Sequence, residues 1–127
     1  MPQTVLVVED EPHIVDSLSF LMKKAGFEVL IARDGDAALR MVESRPPDLM
    51  LLDIMLPRRD GFDVLKTVRS NQAWREMRII LLTAKGRDVD RLKGMELGAD
   101  DFVTKPFSTK DVVRLVKQHL GVEENTA

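Results

Sequence analysis

Two short segments, DLMLLD at 48–53 and RIILLT at 78–83, carry apolar side chains at consecutive positions with almost no polar alternation. Successive side chains of a strand point to opposite faces, so strands of this kind must be covered on both sides. A parallel sheet sandwiched between layers of helices meets that demand. Similar apolar runs recur along the chain with longer segments of helical spacing between them, which predicts strand and helix in alternation. Strands are expected at Val5 to Val8, Glu28 to Ala32, Asp48 to Asp53, Arg78 to Thr83 and Asp101 to Thr104.

The first helix is expected to start near Pro12, with Ile14, Leu18, Leu21, Met22 and Ala25 inward and Gly26 ending it. The second runs from about Asp36 to Ser44, with Ala37, Ala38, Met41 and Val42 inward, and stops at Pro46 and Pro47. The third spans about Phe62 to Ser70 and the fourth about Val89 to Leu97, closed by a left-handed Gly98. The last runs from Thr109 to Leu120 on Val112, Val113, Val116 and Leu120. This is a doubly wound α/β sheet of five βα units. A single domain over 1–121 and a flexible tail over 122–127 account for all 127 residues.

A formal charge of −2 provides no global basic field, so neither nucleic acid nor a membrane is an expected partner. The absence of cysteine removes disulfides, thiolate metal sites and cysteine nucleophiles together. The apolar run in MPQTVLVVEDEP is too short for a signal peptide and no stretch could span a bilayer, so a cytoplasmic location is expected.

In doubly wound sheets ligands bind at the carboxyl ends of the strands. Here those ends carry Glu9, Asp10 and Glu11, then Asp53, then Thr83, then Lys105 before Pro106. Crowded carboxylates repel one another unless a cation neutralises them, and Mg²⁺ takes one or two carboxylates while keeping room for phosphate oxygens. His13 and His119 lie far apart in sequence, which disfavours zinc or copper. Each residue also has an ordinary reading: acids at a helix N-terminus, a surface lysine, a β-branched strand residue. Their coincidence at successive strand ends favours a site. The turn VEDEPH lacks the glycines of a dinucleotide or P-loop and repels phosphate where those loops cradle it, and no G-x-S-x-G elbow is present.

Taken together, VLVVEDEP, DLMLLDIMLPRRDG, LLTAKG and GADDFVTKPF resemble the receiver domain of bacterial response regulators over Thr4 to Leu120. The resemblance implies a flavodoxin-like strand order 2-1-3-4-5 and a phosphoacceptor switch in a phosphorelay rather than an enzyme with its own substrate. It implies that Asp53 accepts a phosphoryl group from a sensor histidine kinase or a histidine phosphotransfer protein. Mg²⁺ or Mn²⁺ would be held by Asp10, Asp53 and the backbone carbonyl of Met55, with Glu9 acting through water. Lys105, Thr83 and Ala84 would bind the phosphoryl group, Thr83 and Phe102 would form the switch, and Pro106 would follow a cis peptide bond. Met55 and Lys85 occupy positions that tune hydrolysis, and a bulky Met55 is expected to slow it. Output would pass through the fourth helix, fifth strand and fifth helix to a downstream protein. Arg91, Asp101, Asp111 and Lys117 resemble parts of the charged set used there for a phosphorylation-dependent homodimer. A metal-dependent aspartyl phosphatase is the rival from another class, but its D-x-D spacing is missing here.

Overall fold

The computed structural model describes residues 2–122. In chain order the elements are β1 (Thr4–Val8), α1 (Pro12–Lys24), β2 (Glu28–Ala32), α2 (Gly35–Ser44), β3 (Leu49–Asp53), α3 (Gly61–Ser70), β4 (Arg78–Ala84), α4 (Asp88–Glu96), β5 (Asp101–Lys105) and α5 (Thr109–His119). A 3₁₀ turn at Gln72–Trp74 precedes β4. All strand pairings are parallel and the sheet order is β2-β1-β3-β4-β5, as the resemblance implied.

The uninterrupted apolar strands sort by parity. Leu6, Met50, Leu52, Ile79 and Leu81 pack on one face with α2 and α3, through Ala38, Val42, Val64, Leu65 and Val68. Val5, Val7, Leu49, Leu51, Ile80 and Leu82 pack on the other with α1 and α5, through Leu18, Met22, Val112 and Val116. Period-2 geometry thus turns each apolar run into half of two cores. No helix among the described residues is long and apolar enough to cross a membrane.

Local chemistry sets the boundaries. Asp48 sits just outside β3 because its carboxylate accepts the Thr4 N–H at 2.7 Å. Asp34 and Asp60 cap α2 and α3, accepting the Ala37 and Asp63 N–H groups at 2.7 and 2.9 Å. Gly26 and Gly98, with φ of 97° and 108°, take the left-handed conformation that ends α1 and α4.

The inward face of α1 differs from the expected one: Val15, Leu18, Ser19 and Met22 are buried, whereas Ile14, Leu21 and Ala25 are half-buried. Helix α1 lies over the sheet with its flank toward α5, and the flanking residues cover the edge of the core rather than its centre. Val122 also packs against this core and donates its N–H to Lys117 O at 2.9 Å; the rest of the expected tail, 123–127, lies outside the described residues.

Helix α4 is the least embedded, with Gly94 its single buried residue and Val89 and Leu92 78% and 63% exposed.

Candidate functional site

Strand parity assembles the carboxyl edge. Glu9, Asp53 and Lys105 continue the rows of Val7, Leu51 and Val103, which face α1 and α5. Thr83 continues the row of Ile79 and Leu81 toward the opposite layer. Register sets the depth along the strands, with Asp53 opposite Leu82, Thr83 opposite Thr104 and Ala84 opposite Lys105.

Two acids and the lysine therefore meet. Lys105 Nζ lies 2.6 Å from Glu9 Oε1 and 3.3 Å from Asp53 Oδ2. Glu9 is 1% exposed and Asp53 5%. The other Glu9 oxygen, Oε2, accepts the backbone N–H groups of Asp10 at 3.0 Å and Glu11 at 3.3 Å, which fixes the acidic turn before α1. Asp53 Oδ1 accepts the Met55 N–H at 3.2 Å, and the Met55 side chain projects outward, 65% exposed.

Burial pushes the Glu9 carboxyl above its ordinary range, and the hydrogen bond and charge of Asp53 add to the rise against the pull of Lys105. Burial works against the Lys105 ammonium, yet its Glu9 hydrogen bond and the Asp53 and Glu9 charges outweigh burial and hold its pKa above the ordinary lysine value. The pocket is thus an acid pair around one ammonium. One carboxylate oxygen from each of Glu9, Asp10 and Asp53 lies within 4.8 Å of the others. An all-oxygen donor set with an exposed member, Asp10, fits a hard cation such as Mg²⁺ or Mn²⁺ that keeps water ligands.

The remaining expected residues surround this centre. Thr83 is buried and donates its hydroxyl to Val103 O at 3.4 Å, toward β5 rather than Asp53. Phe102 is half-buried, and Ala84 and Lys85 are exposed at the end of β4. The Lys105–Pro106 peptide is cis. Trp74 precedes the amino end of β4, across the sheet from the acids.

Several contacts were not visible in the sequence. The Arg91 guanidinium stands 4.9 Å from the Phe102 ring centroid, a cation–π contact between α4 and β5. Asp101 pairs with His119 at 3.0 Å and Asp111 with Arg114, so these charges already have partners within the chain. Arg58 and Arg59 pair with Asp34 and Asp36 at the start of α2. Gly61 donates its N–H to Ile54 O at 2.8 Å, and a Cβ there would overlap the Asp53 carbonyl oxygen. Nothing local in the sequence signals that approach.

A sequence profile of the response regulator receiver domain matches residues 5–117. Among solved structures, a chain from Chloroflexus aurantiacus J-10-fl described as a response regulator is 34% identical, with a TM-score of 0.91 over 95% of this chain and 99% of that one. The receiver domain of a sensor histidine kinase from Pseudomonas aeruginosa PAO1, with a magnesium ion coordinated in its active-site cleft, is 30% identical, with a TM-score of 0.87 over 95% and 99%. The receiver domain of DrrB in its BeF3-activated form is also 30% identical, with a TM-score of 0.86 over 95% and 99%. Given a profile match across nearly the whole described domain and such relatives along its full length, this chain belongs to the response regulator receiver domain family, the phosphoacceptor signalling domain of two-component systems.

Proposed function

We propose that the domain receives a phosphoryl group on Asp53 from a phosphohistidine of a sensor kinase or phosphotransfer protein, and signals through α4, β5 and α5. The observation that carries this reading is the placement of Lys105 Nζ 3.3 Å from Asp53 Oδ2, with Glu9 and Asp10 gathered beside them. An Asp53 oxygen forms the new bond to phosphorus as the P–N bond breaks, and the imidazole leaves with the electron pair. Such transfer needs alignment and charge neutralisation more than a general base.

Asp10, Asp53 and the Met55 backbone carbonyl would hold Mg²⁺ or Mn²⁺, whose chemistry there is neutralisation of carboxylate and phosphoryl charge. Both Glu9 oxygens are already engaged, by Lys105 and by two backbone N–H groups, which suits a contribution through water. Lys105 holds its proton on Nζ for a phosphoryl oxygen, and Ala84, opposite it in register, places its backbone at the same edge.

For the switch, Thr83 exchanges its long bond to Val103 O for a phosphoryl oxygen, and Phe102 moves into the space released. Reversal of a two-state equilibrium from 1:99 to 99:1 takes roughly 5.5 kcal/mol. Phosphorylation replaces one negative charge by about 1.5 to 2. One added unit at about 4 Å from Lys105 is worth about 4 kcal/mol at an effective dielectric of 20, before desolvation. A charge-assisted bond from Thr83 adds about 1.5 to 3 kcal/mol. Because the net gain is only about half a unit to one unit, the two together reach that threshold at the top of their ranges and neither does so alone, and the shallow embedding of α4 makes it the element that yields.

Incubation with Mg²⁺ and acetyl phosphate, followed by intact-mass measurement, tests the chemistry. One hydroxylamine-labile phosphoryl group is expected on the wild type and none on Asp53→Ala. Equal labelling of both proteins would exclude Asp53 as the acceptor.

A further inference from the structure

We propose that the groove between α1 and α5 is a docking site for an acidic amphipathic helix of a partner protein. The groove has a volume of about 470 Å³ and no aspartate or glutamate among its lining residues. Leu21 and Val113 are half-buried along it, while Lys24 from α1 and Lys110, Arg114 and Lys117 from α5 form its rim. Four cations thus adjoin one apolar cleft in a chain whose formal charge is −2. Arg114 pairs with Asp111 of its own helix, whereas Lys105 is the one lysine with an ion pair among the described residues. Lys24 lies over the Phe20 ring of its own helix, 6.0 Å from the centroid, and Lys110 and Lys117 have no acid within the chain's described ion pairs, so none of the three rim lysines is neutralised by a carboxylate among the described residues.

Spacing selects the occupant. Lys110, Arg114 and Lys117 stand at i, i+4 and i+7 of α5, a single stripe about 10 Å long. A helix with acids at the same spacing can lie along that stripe and turn an adjoining apolar stripe onto Leu21 and Val113. A bilayer would favour apolar side chains that project, but those in this groove are recessed between two helices. Its floor also lacks the aromatic platform on which single-stranded nucleic acid stacks. Lys24 lies at the far end of α1 from the acidic turn and Lys110 stands in the first turn of α5, so the groove runs along the flank of the domain, and none of Glu9, Asp53 and Lys105 lines it.

The test uses the full chain and a fluorescein-labelled helical peptide with Glu at i, i+4 and i+7 and Leu on the neighbouring stripe. Anisotropy is expected to show binding that weakens with salt, and at least tenfold with Lys24→Glu/Lys110→Glu. A Lys-for-Glu peptide should restore binding to that variant, a Ser-for-Leu peptide should bind the wild type at least tenfold more weakly, and amide shifts should map to α1 and α5. Acetyl phosphate labelling of Asp53 should be unchanged in the variant. No binding, equal binding by wild type and variant, shifts confined to other elements, or tighter binding to phosphatidylserine vesicles than to the peptide would each overturn the proposal.

Discussion

Lys105 is the residue on which the site's electrostatics turn, because Glu9 and Asp53 are both nearly inaccessible and share it as counter-ion. Lys105→Met leaves two buried carboxylates together and is expected to cost about 2 to 4 kcal/mol at pH 8. The pH dependence follows from Glu9. Its folded pKa is raised above the ordinary 4.5, so between 4.5 and the raised value the folded state binds more protons than the unfolded one. Stability therefore falls as pH rises through that window, and removal of Lys105 deepens the fall. Urea melts at pH 5 and pH 8 should show the variant's deficit smaller at pH 5; an equal deficit at both would mean that Glu9 does not titrate in this way. Met55 presents a different case, being uncharged and 65% exposed beside Asp53. If its bulk hinders in-line water, Met55→Asn should speed loss of the phosphoryl group several-fold, as followed by intact mass after phosphodonor removal. An unchanged rate would assign the lifetime to another group. At this scale the residue types were legible in the sequence, since each acid, the threonine and the lysine stand at strand ends. The orientation of the Thr83 hydroxyl toward Val103 and the stacking of Arg91 on Phe102 were not, because both depend on partners in other elements.

Among the elements, α3 shows how closely a helix start can be tied to the site. Gly61 lies where any Cβ would overlap the backbone of Asp53 and Ile54, and that backbone has no flexible end to yield. Gly61→Ala is expected to destabilise by about 1 to 3 kcal/mol and to weaken Mg²⁺ binding, because the segment carrying Asp53 and Met55 must shift. Thermal melts with and without Mg²⁺ check both, and an unperturbed Mg²⁺ response would separate α3 packing from the acid cluster. The five strands were legible because apolar runs bounded by polar residues identify them, and β4 and β5 extend one residue beyond expectation, to Ala84 and Lys105. The inward face of α1 was harder to read. Its apolar arc is wide enough to serve both the sheet and the α5 boundary, and periodicity cannot say which part lies deepest.

In the molecule as a whole, one side chain from α3 adds a polar link to the apolar packing of its layer against the sheet. Arg69 donates at 2.8 Å to Gly98 O, to Met77 O and to Asp100, while Asp100 also accepts the Ile79 N–H at 2.8 Å. The knot joins α3, the start of β4 and the end of α4. Arg69→Ala should cost about 2 to 4 kcal/mol by urea denaturation, since it removes a charged donor and leaves Asp100 without its closest cation. A loss under half a kcal/mol would mean that water replaces the guanidinium. Sequence alone determined the fold class and the roster of the acidic edge, because consecutive apolar residues admit a covered parallel sheet and such sheets present their functional groups at strand ends. Tertiary structure decided the pairings: which acid meets Lys105, what holds Phe102 and Arg69, and how four cations from two helices come to rim one groove. Those outcomes depend on strand parity, register and helix placement acting together across the chain, and no local stretch encodes them.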